Sequence, residues 1–323
     1  MLIFRIDSSP QKDFWRLNRS YYLASLLKKK TEILFCINND KSIINFLKER
    51  RFHFCLFENF ENLDKIKIKS IVLDLKHFAK EDIKFLKWAK KNGINTIQIT
   101  DLGLNQQDVD FTIDASIEKL FPYAKEKHIL SGPDYAILHN KYRHFNKIKR
   151  EYRKKIKKIF ILMGESTEYR ELREIVDLFF SYNYEIKIFP GICIRKSNKK
   201  VLKRIHPSIK FAGKAESIAR SFFESDIALL YENIAAYKAA STGTPFVCLF
   251  SDKKQEFIAE SFEKHGAGLK YKKNIDFKKK DLVKYIDSLT FEKRVKMGNI
   301  GKRLIDAKGV YRIIRFFEEK EII

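Results

Sequence analysis

Lys158-Ile159-Phe160-Ile161-Leu162-Met163-Gly164 is an almost unbroken apolar run that stops on a glycine. A run this short and continuous reads as a strand buried on both faces, as parallel sheets require. Ser166 and Thr167 follow it and lead into a helix expected over 168–182. The same grammar opens the chain, where Leu2-Ile3-Phe4-Arg5-Ile6 precedes an amphipathic helix expected over 15–29. A strand–helix pattern that starts twice implies two sheets in tandem.

The first half predicts strands at 2–6, 32–36, 52–57, 70–73, 96–100 and 111–113, with helices at 15–29, 42–50 and 80–91. Asn92-Gly93 ends the last of these helices and turns the chain into the next strand. The second half predicts strands at 158–163, 185–189, 209–212, 227–230, 246–250 and 268–271. Its helices fall at 168–182, 215–223, 234–241, 254–264, 281–289 and 291–307. Continuous apolar strands alternating with helices signal the α/β class. The expectation is two Rossmann-like, doubly wound parallel-sheet domains facing each other. The first spans 1–150, including a basic linker, and the second spans 151–323. Ligands of such sheets sit at the carboxyl ends of the strands, so a cleft between the domains is the expected site.

The chain has 323 residues, 45% of them hydrophobic and 14% aromatic, enough to fill two cores. Charges interrupt the apolar residues at the N-terminus, and no apolar run approaches the length of a membrane span. A cytoplasmic protein is expected. Cys36, Cys55, Cys193 and Cys248 lie far apart without metal-ligand spacing, so buried reduced thiols are expected and no metal or organic cofactor. The net charge of +24 has two readings. It is a field that attracts nucleic acid, anionic lipid or a phosphorylated ligand, or it is lysine serving as the default surface residue. The densest basic stretch, 141–158, reads as a solvated linker or as the rim of a phosphate-facing cleft.

Three ordered segments say more. The first is Phe4-Arg5-Ile6-Asp7-Ser8-Ser9-Pro10-Gln11-Lys12-Asp13-Phe14-Trp15-Arg16-Leu17-Asn18-Arg19, and the second is Ser131-Gly132-Pro133-Asp134-Tyr135-Ala136-Ile137-Leu138. The third runs Glu224-Ser225-Asp226-Ile227-Ala228-Leu229-Leu230, then Thr242-Gly243-Thr244-Pro245-Phe246 and on to Gln255. Together they resemble the UDP-sugar hydrolase of pseudaminic acid biosynthesis and its spore-coat polysaccharide relatives, over roughly residues 2–275. The resemblance implies the GT-B fold, with a UDP-sugar or other phosphorylated ligand held between two lobes. Asp7, Ser8, Ser9, Gln11, Arg19, Asp101, Tyr135 and Gln255 match the family pattern. They read equally as scaffold: Asp7 capping a turn, Arg19 paired with it, and Tyr135 packed at the hinge.

The departures from that pattern concern chemistry. Where the family has a glycine-containing turn and a catalytic histidine, this chain has Asp13, Trp15 and Arg16. Arginine stays protonated and cannot serve as a general base. Arg16 then reads as an anion-binding group or as a surface replacement left by relaxed selection. The nucleotide half departs too. Gly164-Glu165-Ser166-Thr167 stands where the family has Gly-Gly and a small hydroxyl residue. Glu232 lies in the family's small-residue run, and Lys238 replaces a ribose-binding glutamate.

The leading expectation is therefore a GT-B homologue that no longer hydrolyses, kept as a binding or assembly protein with a protein partner. The alternative is an active nucleotide-sugar hydrolase or glycosyltransferase whose base is a replacement carboxylate, with Asp13, Asp101 and Glu232 as candidates. A third reading is a nucleic-acid or anionic-membrane binder, using Tyr142, Phe145 and Tyr152 among the charges of 141–158 as stacking platforms.

Overall fold

A computed structural model of the chain describes residues 1–9, 14–58, 60, 63, 66–122, 128–164, 169–179, 182, 184–190, 194–212, 216–231, 234–250, 252–272 and 279–323. The chain divides into two compact units, Met1–His139 with Lys308–Ile323, and Asn140–Ala307.

In the first unit, β1 (Leu2–Ile6), β2 (Ile33–Ile37), β3 (His53–Leu56), β4 (Ser70–Asp74), β5 (Asn95–Thr100), β6 (Phe111–Asp114) and β7 (Ile129–Ser131) form one parallel sheet, ordered β3-β2-β1-β4-β5-β6-β7. Helices α1 (Phe14–Leu27), α2 (Lys41–Glu49) and α3 (Lys80–Lys91) connect the strands. Successive strand residues point to opposite faces, and both faces are buried. Leu2, Phe4, Ile6, Phe35 and Val72 join the core on one side, while Ile3, Cys36, Ile71 and Leu73 join the core on the other. This is why the strands read as continuous apolar runs. Helix starts follow local chemistry: Asp40 accepts the Ser42 N–H at 2.7 Å, and the Ala79 N–H donates to Asp82 at 3.0 Å.

The second unit holds α4 (Asn140–Lys147), β8 (Lys158–Leu162), α5 (Tyr169–Phe179), β9 (Glu185–Phe189), α6 (Lys196–Ile205), β10 (Lys210–Phe211) and α7 (Glu216–Glu224). It continues through β11 (Ile227–Leu230), α8 (Ala235–Ser241), β12 (Phe246–Phe250), α9 (Lys253–Lys264), β13 (Leu269–Lys272), α10 (Lys279–Asp287) and α11 (Phe291–Leu304). Its strands form a parallel sheet in the order β10-β9-β8-β11-β12-β13.

The basic stretch 141–158 is not an extended linker. Its first half is α4, with Tyr142 buried and the Phe145 ring packed at a tilt against Phe223, centroids 4.9 Å apart. Arg150 donates to the carbonyls of Phe222, Phe223 and Ser225 and to Thr244 Oγ1, so it caps the end of α7. Burial pulls its guanidinium down to about 10. The Tyr152 hydroxyl donates to the Gly243 carbonyl at 3.0 Å, and Asp226 accepts from Arg153 and from the N–H groups of Lys157 and Lys158. The aromatics expected as nucleic-acid stacking platforms are therefore packing groups of the second unit.

The tail departs from the expected boundary at residue 150. After α11 the chain returns to the first unit as α12 (Gly309–Glu319). Val310, Ile313, Ile314, Phe317 and Ile322 enter the core beside β1 and α1. Ser70 Oγ donates to the Ile322 carbonyl at 2.7 Å, and Arg312 donates to that of Asp134 at 2.8 Å. Gly309 lies so close to the backbone of Ala136 that an added Cβ would come within 2.4 Å of its oxygen. The expected second domain running to 323 overlooked this return, as no strand–helix alternation marks it. β7, α4 and α6 were also missed. Among the described residues no helix is long and apolar enough to cross a membrane.

Candidate functional site

In the first sheet the chain runs from β1 to β2 on one side and later places β4 on the other. The carboxyl ends of β1 and β4 thus flank a switch point, where open parallel sheets bind ligands. Asp7 follows β1, Asp74 ends β4, Asp101 follows β5 and Asp114 ends β6. Facing them, α1 carries Arg16, Arg19 and Ser20 at helical spacing, so all three reach the same edge.

Arg19 spans two carboxylates. Its Nε and Nη2 donate to Asp74 Oδ2 and Oδ1 at 2.8 and 2.6 Å, and its Nη1 donates to Asp101 Oδ1 at 2.8 Å. Ser20 Oγ donates to Asp74 Oδ2 at 2.7 Å. Arg16 completes the cluster, with Nη1 3.6 Å from Asp74 Oδ1, Nη2 3.3 Å from Asp101 Oδ2, and a hydrogen bond to the Leu75 carbonyl. Trp15 lies against both guanidiniums, with ring-to-carbon distances of 4.5 Å to Arg16 and 4.4 Å to Arg19. Burial would weaken the hold of Arg19 on its proton, but the charges of Asp101 and Asp74 outweigh it and raise the pKa above the ordinary arginine value.

Two cations face two anions here, and Asp74 is fully buried. The surface reading of Arg16 is overturned, because Arg16 is 6% exposed. Arg19 does not pair with Asp7 but with Asp74 and Asp101. Both Asp101 oxygens already accept guanidinium N–H groups, so using it as a base would require the cluster to open. The loop carrying Asp101 is held in place as well: the Leu102 and Gly103 N–H groups donate to Ser116 Oγ and Asp114 at 2.7 and 2.8 Å. Gly103 has φ +68°, and an added Cβ would lie 2.2 Å from the Phe121 oxygen.

Asp7 stands apart from the cluster. It accepts the Lys76 N–H at 3.3 Å, and burial raises its pKa against the opposing pull of that N–H, Arg16 and Arg5. Ser8 and Ser9 are buried beside it in sequence, and Ser8 Oγ has no hydrogen-bond partner among the described residues. Tyr135 closes the short helical turn Pro133–Tyr135 and packs on the first core. In the second unit, Gly164 is buried just past β8, Lys238 is half-buried on α8, and Gln255 lies in the first turn of α9. Gln11, Asp13, Ser166 and Glu232 lie outside the described residues, and so does the Glu232–Lys238 relationship.

Sequence reasoning missed Asp74, Ser20 and the role of Trp15. The signal for Asp74 was a single carboxylate closing the apolar run Ser70-Ile71-Val72-Leu73. His77, exposed three residues beyond Asp74, lies past the same edge and was also passed over.

No protein-family model matches the sequence, and no curated protein matches it. Solved structures do match in fold. MurG of Acinetobacter baumannii superposes with a TM-score of 0.72 at 13% identity, covering 98% of this chain and 99% of that one. A UDP-glucosyltransferase from Polygonum tinctorium gives 0.69 at 9% identity, covering 98% of each chain. UDP-GlcNAc 2-epimerase from Neisseria meningitidis, bound to UDP-GlcNAc, gives 0.60 at 12% identity, covering 99% of this chain and 100% of that one. The chain has the two-domain, Rossmann-like GT-B fold.

Proposed function

We propose that this chain is a GT-B protein of nucleotide-sugar metabolism that binds a UDP-sugar and does not hydrolyse it. It would be a homologue of the UDP-sugar hydrolase of pseudaminic acid biosynthesis, serving nonulosonic-acid or surface-glycan synthesis as a binding or assembly protein. The observation that carries this reading is Arg16. It stands where the resembling family has its catalytic histidine, and its guanidinium is buried between Asp74 and Asp101. A group so placed is already protonated, has no lone pair with which to accept a proton, and has little net charge to offer a phosphate. Ligand binding finds support in two fold neighbours, the epimerase bound to UDP-GlcNAc and the Anabaena protein in complex with UDP-glucose. The test is UDP release from a panel of UDP-sugars, measured by coupled assay. The expected result is no release above the protein-free rate. Sustained turnover would overturn the reading.

Asp7 favours a second reading, a glycosyltransferase or hydrolase with a replaced base. Burial makes its carboxylate more basic than usual, at the carboxyl end of β1. In that scheme Asp7 takes the proton of an attacking hydroxyl or water. The oxygen bonds to the anomeric carbon as the bond to the UDP oxygen breaks, and UDP leaves. Turnover lost in Asp7→Asn protein would favour this scheme, and turnover that survives the change would remove it.

A further inference from the structure

The register of the first sheet sets three side chains in one row. Arg5 on β1 is paired with Cys36 on β2, and Cys36 is paired with Cys55 on β3. Both cysteines belong to the core face built around Ile3, Ile71 and Leu73. Cys36 is buried, whereas Cys55 is half-buried on β3, the edge strand of the sheet. The two cysteines are thus direct cross-strand neighbours on one face of the sheet. Arg5 is held in the row by Asp82 at 2.8 Å and by the Phe57 ring at 3.6 Å.

We propose that Cys36 and Cys55 are a redox-modifiable dithiol, which a low-molecular-weight disulfide converts to a cross-strand disulfide. Neighbouring strands lie about 4.8 Å apart. That spacing falls inside the Cα separation of roughly 4.4–6.8 Å that a disulfide spans. The two side chains leave the sheet on the same side, so closure needs side-chain rotation and a small approach of the edge strand β3.

The pair is also asymmetric. Interaction with the Cys36 thiol lowers the Cys55 pKa against the opposing effect of burial, with Arg5 adding to the lowering, while Cys55 and burial raise that of Cys36. Cys55, half-buried on the edge strand, is the thiol an oxidant reaches, and it attacks as the thiolate. Its sulfur bonds to one sulfur of the small disulfide, whose S–S bond breaks to release a thiolate. Cys36 sulfur then attacks Cys55 Sγ and expels the second small thiolate, while the Cys36 proton passes to it. One small disulfide is reduced to two thiols, and the protein dithiol is oxidised to one disulfide.

The experiment treats the full chain, native, with excess oxidised glutathione, then alkylates remaining thiols and maps tryptic peptides without reduction. Lys41, Arg50 and Arg51 lie between the two cysteines, so trypsin separates them. The expected result is a linked pair of peptides carrying Cys36 and Cys55, lighter by two hydrogens and resolved by dithiothreitol. Cys248, fully buried, stays unmodified. In Cys36→Ser protein the glutathione adduct is trapped on Cys55, and in Cys55→Ser protein no adduct forms on Cys36. Recovery of both wild-type cysteines as separate alkylated peptides would overturn the proposal. So would an adduct trapped on Cys36 in Cys55→Ser protein. The wild-type map stands even where a variant fails to fold.

Discussion

Arg19 grips Asp74 through two parallel contacts, Nε to Oδ2 at 2.8 Å and Nη2 to Oδ1 at 2.6 Å, with Asp74 wholly shielded from solvent. This bidentate pair fixes α1 against the carboxyl end of β4. A buried pair broken on one side leaves an uncompensated charge, so Asp74→Asn should cost about 3–5 kcal/mol of stability. Urea unfolding measures it. A loss below about 1 kcal/mol, the range of exposed pairs, would mean that the cluster is solvated.

Arg16 is neutralised within the same cluster, so it should not act as the anion receptor. Changing it to glutamine is expected to alter UDP affinity by less than about threefold, whereas loss of a direct phosphate contact would cost tenfold or more, about 1.4 kcal/mol. Calorimetric titration of both proteins separates the two, with circular dichroism confirming that the variant folds.

Asp7 gives a pH signature. Its folded pKa lies above the ordinary value of 3.8, so the folded state binds the proton more tightly than the unfolded chain does. Its favourable contribution is therefore full below that value and is lost as pH rises through the folded pKa. Asp7→Asn should gain stability relative to wild type at neutral pH, and the gain should close as pH falls below 3.8. Urea midpoints across that range test it, and a gain that grows on acidification would contradict the assignment.

The returning helix α12 should be indispensable to the first unit. Phe317 is fully buried in the core beside β1 and α1, so Phe317→Ala is expected to cost about 3–5 kcal/mol. Thermal unfolding measures the loss. A change below about 1 kcal/mol would mean that the tail is peripheral, as a simple boundary at residue 150 implies.

The fold was legible because parallel strands buried on both faces leave continuous apolar runs, as at Leu2–Ile6 and Phe246–Phe250. The return of α12 was not legible. Its pattern of Val310, Ile313, Ile314 and Phe317 announces an amphipathic helix but not the core it enters. The basic stretch misled for a related reason. Composition shows the charge of Arg150, but only the fold supplies the α7 carbonyls that absorb it. In the site, the sequence pointed to Arg16, Arg19 and Asp101 through a family resemblance. It did not point to Asp74, whose partners lie 54 and 55 positions away.

The most direct test of the account is calorimetric titration of the full chain with UDP at low and physiological salt, with GDP and inorganic phosphate as controls. Micromolar binding that favours UDP over GDP and survives physiological salt is expected, in a protein that releases no UDP from UDP-sugars. No binding, or binding matched by GDP and phosphate and abolished by salt, would contradict it and leave only non-specific attraction by the net positive charge.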